Sequence, residues 1–131
     1  MAKVSNKETK PEILVRKFLF SRGYRYRKNV VSMPGKPDIV LPKYRTVIFV
    51  NGCFWHGHKD CKKAKLPSSN IAFWKEKITK NIERDHNNIN VLLSLNWNVI
   101  TIWECEIMSV SCRERRFQKL EDEIVTFFND L

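Results

Sequence analysis

No apolar run in this chain is long enough to cross a bilayer; the longest, such as "VIFV", have the length of a strand. The opening stretch, "MAKVSNKETKPE", lacks the apolar segment of a secretory signal, so a cytoplasmic setting is expected. In that reducing setting the four cysteines read as free thiols or metal ligands rather than disulfide partners. Internal repeats, low-complexity tracts and Gly/Ser-rich linkers are also missing, and glycine itself is scarce, at four residues. One domain is expected over residues 1–131, large enough to bury a single core, with residues 1–8 a short flexible N-terminus. Acidic residues are in deficit as well. Lys and Arg number 24 against 14 Asp and Glu, a net charge of +10, so the natural partner is a polyanion. Nucleic acid is favoured over an anionic membrane surface, because no basic amphipathic stretch stands apart from charge elsewhere.

What is present reads as alternating helix and strand. Thr9-Lys10-Pro11-Glu12 is a capping box with proline in the first turn, and Ile13, Leu14, Val15 and Phe18 follow on one side of a helix that ends near Gly23. "YRYRKNV" alternates aromatic and basic residues like a half-exposed strand, and "PDIVL" and "RTVIFVN" read as two more, with Pro34-Gly35 turning into the second. From residue 71 to 95, Ile71, Trp74, Ile78, Ile82, Ile89, Leu92 and Leu93 recur at helical spacing. "WNVITIWEC", residues 97–105, suits a buried strand, and residues 113–131 place Phe117, Leu120, Ile124, Phe127 and Phe128 on one helix face. The order αβββαβα predicts an α/β protein: an α+β mixed sheet flanked by helices.

Chemistry concentrates in "NGCFWHGHKDC", residues 51–61. Cys53, His58 and Cys61 form C-x4-H-x2-C, and Cys105 at the end of the last strand offers a fourth donor for a closed, tetrahedral zinc site. His56 has acceptable spacing too, and spacing does not choose between the two histidines. The alternative is that the cysteines are small buried hydrophobes. Cys112, in a charged stretch, reads as a surface thiol. A second chemistry is suggested by Asp38, which opens an apolar strand and can offer oxygen to a hard cation such as Mg2+. Glu12 and Asp85 are carboxylates that folding could bring near it, although the first is explained as a capping residue and the second as part of a solvated helix face.

Taken together, "TKPE", "MPGKPDIVLPKYRTVIFVNGCFWHGH", "FWKEKITKNIERD" and "LNWNVITIWECE" resemble the Vsr family, the very-short-patch mismatch repair endonucleases that cut one DNA strand beside a T:G mismatch. The resemblance covers nearly the whole chain. It implies a restriction-endonuclease-like fold with a structural zinc held by Cys53, His58, Cys61 and Cys105. Asp38 and the backbone carbonyl of Val50 then correspond to ligands of catalytic Mg2+, and His56 to the catalytic histidine. Glu12 and Asp85 match residues that hold metal-bound water or orient that histidine. Phe54, Trp55 and Trp74 match aromatic residues that wedge into the base stack. This chain departs from the family pattern at Asn51, where a second histidine stands; asparagine cannot exchange protons, though it can hold a metal-bound water. The N-terminal arm ahead of the capping box is short, and the zinc loop at residues 59–61 is one residue longer than its tightest form.

The resemblance implies a strand-specific, Mg2+-dependent nick 5′ of T in T:G pairs, leaving a 5′-phosphate, by a monomer. Such pairs arise when 5-methylcytosine deaminates, so a cytosine-5 DNA methyltransferase is the implied functional partner. Two alternatives remain: a related nuclease with relaxed DNA specificity, and a catalytically decayed binder that uses the zinc loop with Lys62, Lys63, Lys65, Arg25 and Arg27 to hold DNA.

Overall fold

The structure, a computed structural model, describes residues 9–131. The short N-terminus expected at residues 1–8 lies outside them. Helix α1 (Lys10–Ser21) begins where its local chemistry dictates: the Thr9 hydroxyl accepts from the Glu12 N–H and the Glu12 carboxylate accepts from the Thr9 N–H, with Pro11 in the first turn. Strands β1 (Arg27–Lys28), β2 (Ile39–Leu41) and β3 (Thr46–Asn51) follow, then helix α2 (Ile71–Ser94), strand β4 (Asn98–Trp103), a short helix α3 (Glu104–Met108) and helix α4 (Val110–Asn129). Among the described residues the strands form one sheet in the order β1-β2-β3-β4, antiparallel except for the parallel pair β3–β4. This is the expected mixed sheet flanked by helices.

Both faces of the sheet are covered. Ile39 and Leu41 of β2, Ile48 of β3, and Ile100 and Ile102 of β4 join Val15 and Leu19 of α1, Ile107 of α3, and Phe117, Leu120 and Ile124 of α4 in the larger core. On the other face Val40 and Val47 pack with Leu92 of α2, flanked by Phe49 and Val99. The period-2 alternation of strand side chains thus divides β2 and β3 between two apolar layers. Each fully buried Leu or Ile contributes roughly 1.5–3 kcal/mol relative to exposure.

Several expected boundaries differ. The first helix buries Val15 and Leu19 completely, while Ile13, Leu14 and Phe18 are only half-buried. The strand expected across residues 24–30 pairs over Arg27–Lys28 alone, ending at Asn29, whose φ of 52° leaves the extended region. Strand β4 stops at Trp103, because the Trp103 N–H donates to the Glu106 carboxylate at 2.8 Å and starts α3 there. Cys105 therefore sits in the first turn of a helix rather than at a strand end. The last helix starts at Val110, not 113. Of the apolar positions expected to line α2, Ile78 and Leu92 are buried, whereas Ile71 and Leu93 are exposed. No helix among the described residues is long and apolar enough to cross a membrane.

This division sets different costs for two leucines on helices that cover opposite faces of the sheet. Leu120→Ala empties a fully buried position and should cost about 2–5 kcal/mol in urea unfolding. Leu93→Ala, at a side chain 52% exposed, should stay within about 0.5 kcal/mol. Equal costs would mean that Leu120 and Leu93 do not lie on opposite sides of the core boundary.

Candidate active site and metal centre

The parallel register places Asn51 opposite Trp103. Each strand then runs on by two residues to a cysteine, Cys53 after β3 and Cys105 after β4, so donors distant in sequence leave the sheet side by side. The loop after Cys53 brings back His58 and Cys61, and the ligand atoms of all four lie within 4.8 Å of one another. His58 Nδ1 is 3.4 Å from Cys105 Sγ, and its ring stacks on Trp103 with centroids 4.1 Å apart. Of the two histidines that spacing left open, His58 is the one in this cluster.

The thiols compete for charge. Burial, reinforced by Cys53 and Cys61, pushes the Cys105 thiol up to about 12, and burial also raises Cys53. For Cys61 burial acts in the same direction, but the Lys63 and Ala64 N–H groups and the neighbouring thiols outweigh it and pull its pKa below the usual value. Three crowded sulfurs with opposed proton affinities suit a metal ion, whose charge would hold all of them as thiolates. Sequence reasoning missed Glu104, which accepts the Cys53 N–H at 3.1 Å and adjoins Cys105 in the chain, so it ties the two strand ends together. Its only signal was its place in "WECE". Cys112 is exposed, away from this cluster.

A second group forms where β2 begins and β3 ends. Asp38 Oδ2 accepts the Val50 N–H at 2.7 Å, across the antiparallel pair in which Ile39 faces Ile48. Burial raises the Asp38 carboxyl to about 7; the adjoining Glu12 carboxyl adds to the rise, while the Val50 N–H and the nearby His56 oppose it. Glu12 is 1% exposed. Its Oε2 is used by the Thr9 cap, but Oε1 has no hydrogen-bond partner among the described residues, Arg16 Nη1 standing 4.0 Å away. Paired buried carboxylates with a free oxygen fit a divalent cation, which would favour both charged forms.

His56 Nδ1 lies 2.6 Å from Asp85 Oδ2, both side chains about one-third exposed. The aspartate read as a solvated helix position thus faces the loop. Asn51 is buried at the end of β3 and lines, with Asp85, Asn88 and Thr101, a cavity of about 20 Å3, room for roughly one water. Next to His56, Phe54, Trp55 and Trp74 form an edge-to-face cluster with centroids 5.2–5.8 Å apart. Trp55 is 49% exposed; Phe54 and Trp74 are half-buried. Phe73, which sequence reasoning missed, extends the cluster at 5.1 Å from Trp74 and is exposed. Lys62 and Lys63, in a 3-10 turn directly after Cys61, are exposed, as is Lys65; Arg25 and Arg27 are exposed at the other end of the sheet order, on and beside β1.

A histidine able to exchange protons, next to paired carboxylates on a chain of charge +10, is the equipment of a DNA endonuclease. Comparison with known proteins narrows that class. The family model described as DNA mismatch endonuclease Vsr matches residues 1–63. The chain is 58% identical over 116 residues to the type II nicking enzyme V.NmeAIP of Neisseria meningitidis serogroup A, covering 88% of this chain and 82% of that one. It is 42% identical over 122 residues to the type II nicking enzyme V.XorIIP of Xanthomonas oryzae pv. oryzae, covering 93% and 89%. To the DNA mismatch endonuclease Vsr of Escherichia coli K12 it is 40% identical over 126 residues, covering 96% and 76%. This chain belongs to the Vsr family of DNA endonucleases.

The raised Asp38 pKa gives a test of the buried carboxylates. Between the ordinary value of 3.8 and about 7 the folded state holds a proton that the unfolded chain has released, so stability falls as pH rises through that window. Without added divalent cation, Asp38→Asn should match the parent near pH 4 and exceed it in stability above pH 7, by urea unfolding. Parallel curves for the two proteins would contradict the burial assigned to Asp38.

Proposed function

We propose that this chain is a strand-specific, Mg2+-dependent endonuclease that nicks 5′ of the T in a T:G mismatch and leaves a 5′-phosphate. The observation that carries this reading is the meeting of the Asp38–Glu12 carboxylates with the His56–Asp85 pair beside an aromatic cluster whose Trp55 is exposed. Asp38, with the backbone carbonyl of Val50, would hold Mg2+, and Glu12 would orient water around it. The ion, when bound, supplies a Lewis acid for the phosphate oxygens and lowers the pKa of water. Asp85 accepts from His56 Nδ1, which fixes the imidazole proton there and leaves Nε2 to take or give the proton in hydrolysis. Asn51, buried beside them, can hold a water by hydrogen bond but cannot replace a second histidine as a proton carrier.

Selectivity follows from stacking. Trp55, backed by Phe54 and Trp74, would enter the base stack, and a mispaired step costs less to open than a matched one. Lys62, Lys63, Lys65, Arg25 and Arg27 would hold phosphates, making affinity fall with salt. Zn2+ is the ion proposed for Cys53, His58, Cys61 and Cys105, whose soft, four-donor set leaves no open position and so is structural. One nick needs one catalytic centre, so we infer a monomer acting in the cytoplasm on the products of a cytosine-5 DNA methyltransferase. The names of the nicking-enzyme relatives leave room for a second reading, a nick whose target is set by flanking sequence with less dependence on the mismatch.

Labelled duplexes with and without one T:G pair in a methyltransferase-type sequence separate these readings. The T strand should be nicked only in the mismatched duplex, with Mg2+, and Asp38→Ala should abolish the nick while DNA binding persists. Cutting of both duplexes would favour the second reading, and binding without cutting would defeat the enzyme assignment to these residues. For the other centre, Cys61→Ala should lose bound zinc and lower the thermal midpoint, because ligation free energy is folding free energy. A full equivalent of zinc at unchanged stability would remove Cys61 from the ligand set.

A further inference from the structure

Trp55, His56 and Gly57 are consecutive, and each is held by a different part of one face of α2. Asn81 Nδ2 donates to the Trp55 carbonyl at 2.9 Å, and Asp85 takes His56 Nδ1 at 2.6 Å. Gly57, at φ +59°, lies so close to the helix that an added Cβ would come within 2.6 Å of Ile82 Cδ1 and 2.8 Å of Ile78 Cγ2. Ile78, Asn81, Ile82 and Asp85 recur at i, i+3, i+4 and i+7, the spacing of one helical stripe. Trp74, a turn earlier on the same stripe, meets the Trp55 ring at 5.8 Å.

The peptide unit between Trp55 and His56 is pinned at both ends. Its carbonyl is fixed by Asn81, and its N–H donates to the Gly52 carbonyl at 3.2 Å. A peptide unit is a rigid plane, so holding both ends sets the directions in which the Trp55 and His56 side chains leave it. A main-chain carbonyl at the surface could be satisfied by water. Asn81 instead binds it from the helix turn that precedes Asp85.

We propose that Asn81 is a positioning residue that couples the aromatic wedge to His56, so that seating Trp55 against DNA bases and aligning the imidazole are one event. This rests on the reading of His56 and Trp55 given above. Loss of the Asn81 amide frees the peptide plane; Trp55 can then stack without drawing His56 into line.

The test compares the parent, Asn81→Ala and Asn81→Gln on T:G and matched duplexes, with 2-aminopurine beside the mismatch to report unstacking. Zinc content and thermal midpoint confirm that each variant is folded. The single-turnover nicking rate at saturating protein should fall about tenfold or more in Asn81→Ala, as small misplacements of reacting groups do. Duplex affinity and the unstacking signal should be retained, and Asn81→Gln, which keeps the donor, should recover part of the rate. An unchanged rate at saturation would overturn the proposal, and so would weakened affinity with the saturated rate preserved, which would make Asn81 a direct DNA contact. A parent protein that nicks both duplexes equally would defeat the mismatch reading alone, and the Asn81 proposal would still be decided by the rate.

Discussion

Parallel pairing of β3 with β4 is the constraint on which both clusters depend. Antiparallel neighbours can be joined by a tight turn, but parallel ones require a crossover, and α2 supplies it. One connection therefore performs two tasks. It brings the strand ends into register, with Asn51 beside Trp103, so that Cys53 and Cys105 emerge together. It also lays α2, a 24-residue helix, from Trp74 to Asp85 along the loop that leaves β3, which is how Asp85 reaches His56 and Asn81 reaches the Trp55 carbonyl. A slip of that register would separate the sulfurs and turn the strand faces over at once.

The two candidate metal positions present opposite electrostatic problems. In the Cys/His cluster, sulfurs crowd together and their proton affinities diverge, a conflict that a cation at the centre would remove. At Asp38 the difficulty is desolvation: a carboxyl beside a second carboxyl, in a protein otherwise rich in positive charge, is held near neutrality. Arg16 stands 4.0 Å from Glu12, but the basic side chains proposed to hold DNA, Lys62, Lys63, Lys65, Arg25 and Arg27, are in solvent, where screening limits their action to about a Debye length. Surface charge can thus gather a polyanion while a buried acidic pocket keeps its demand for a cation.

The parts of the fold legible in sequence were those with local causes. The capping box of Thr9 and Glu12, the helical spacing after Ile71 and the β-branched run of β3 each state their structure within a few residues. What could not be read depends on distant partners. His56 and His58 both have acceptable spacing from Cys53, and only the packing of the loop sends one ring to Asp85 and the other to Cys105. Asp85 resembled a solvated helix residue because its partner is 29 residues away. The start of helix α3, at Glu104 and Cys105, was read as the end of a strand; a single carboxylate, Glu106, accepting the Trp103 N–H decides that boundary, and the same carboxylate is held by Arg116 at 3.4 Å. Leu19 escaped notice because the apolar residues of α1 surround the helix, and its burial is set by the sheet it meets.

Glu12 shows why a local explanation can be correct and still incomplete. A glutamate at the third position of a capped helix needs only to return one oxygen to the Thr9 N–H, and Oε2 does so. Glutamine would serve that purpose, and a capping side chain ordinarily stays in contact with water. Here the carboxylate is buried, its second oxygen lacks a hydrogen bond among the described residues, and another carboxyl adjoins it. Burying such a group costs free energy that capping does not recover, since a cap contributes only about 0.5–2 kcal/mol. The cap fixes one oxygen at the start of the helix, while the carboxyl as a whole adjoins Asp38. On the proposal that Asp38 holds a cation, helix start and cation site would be two uses of a single side chain, and the excess burial of Glu12 would belong to the second.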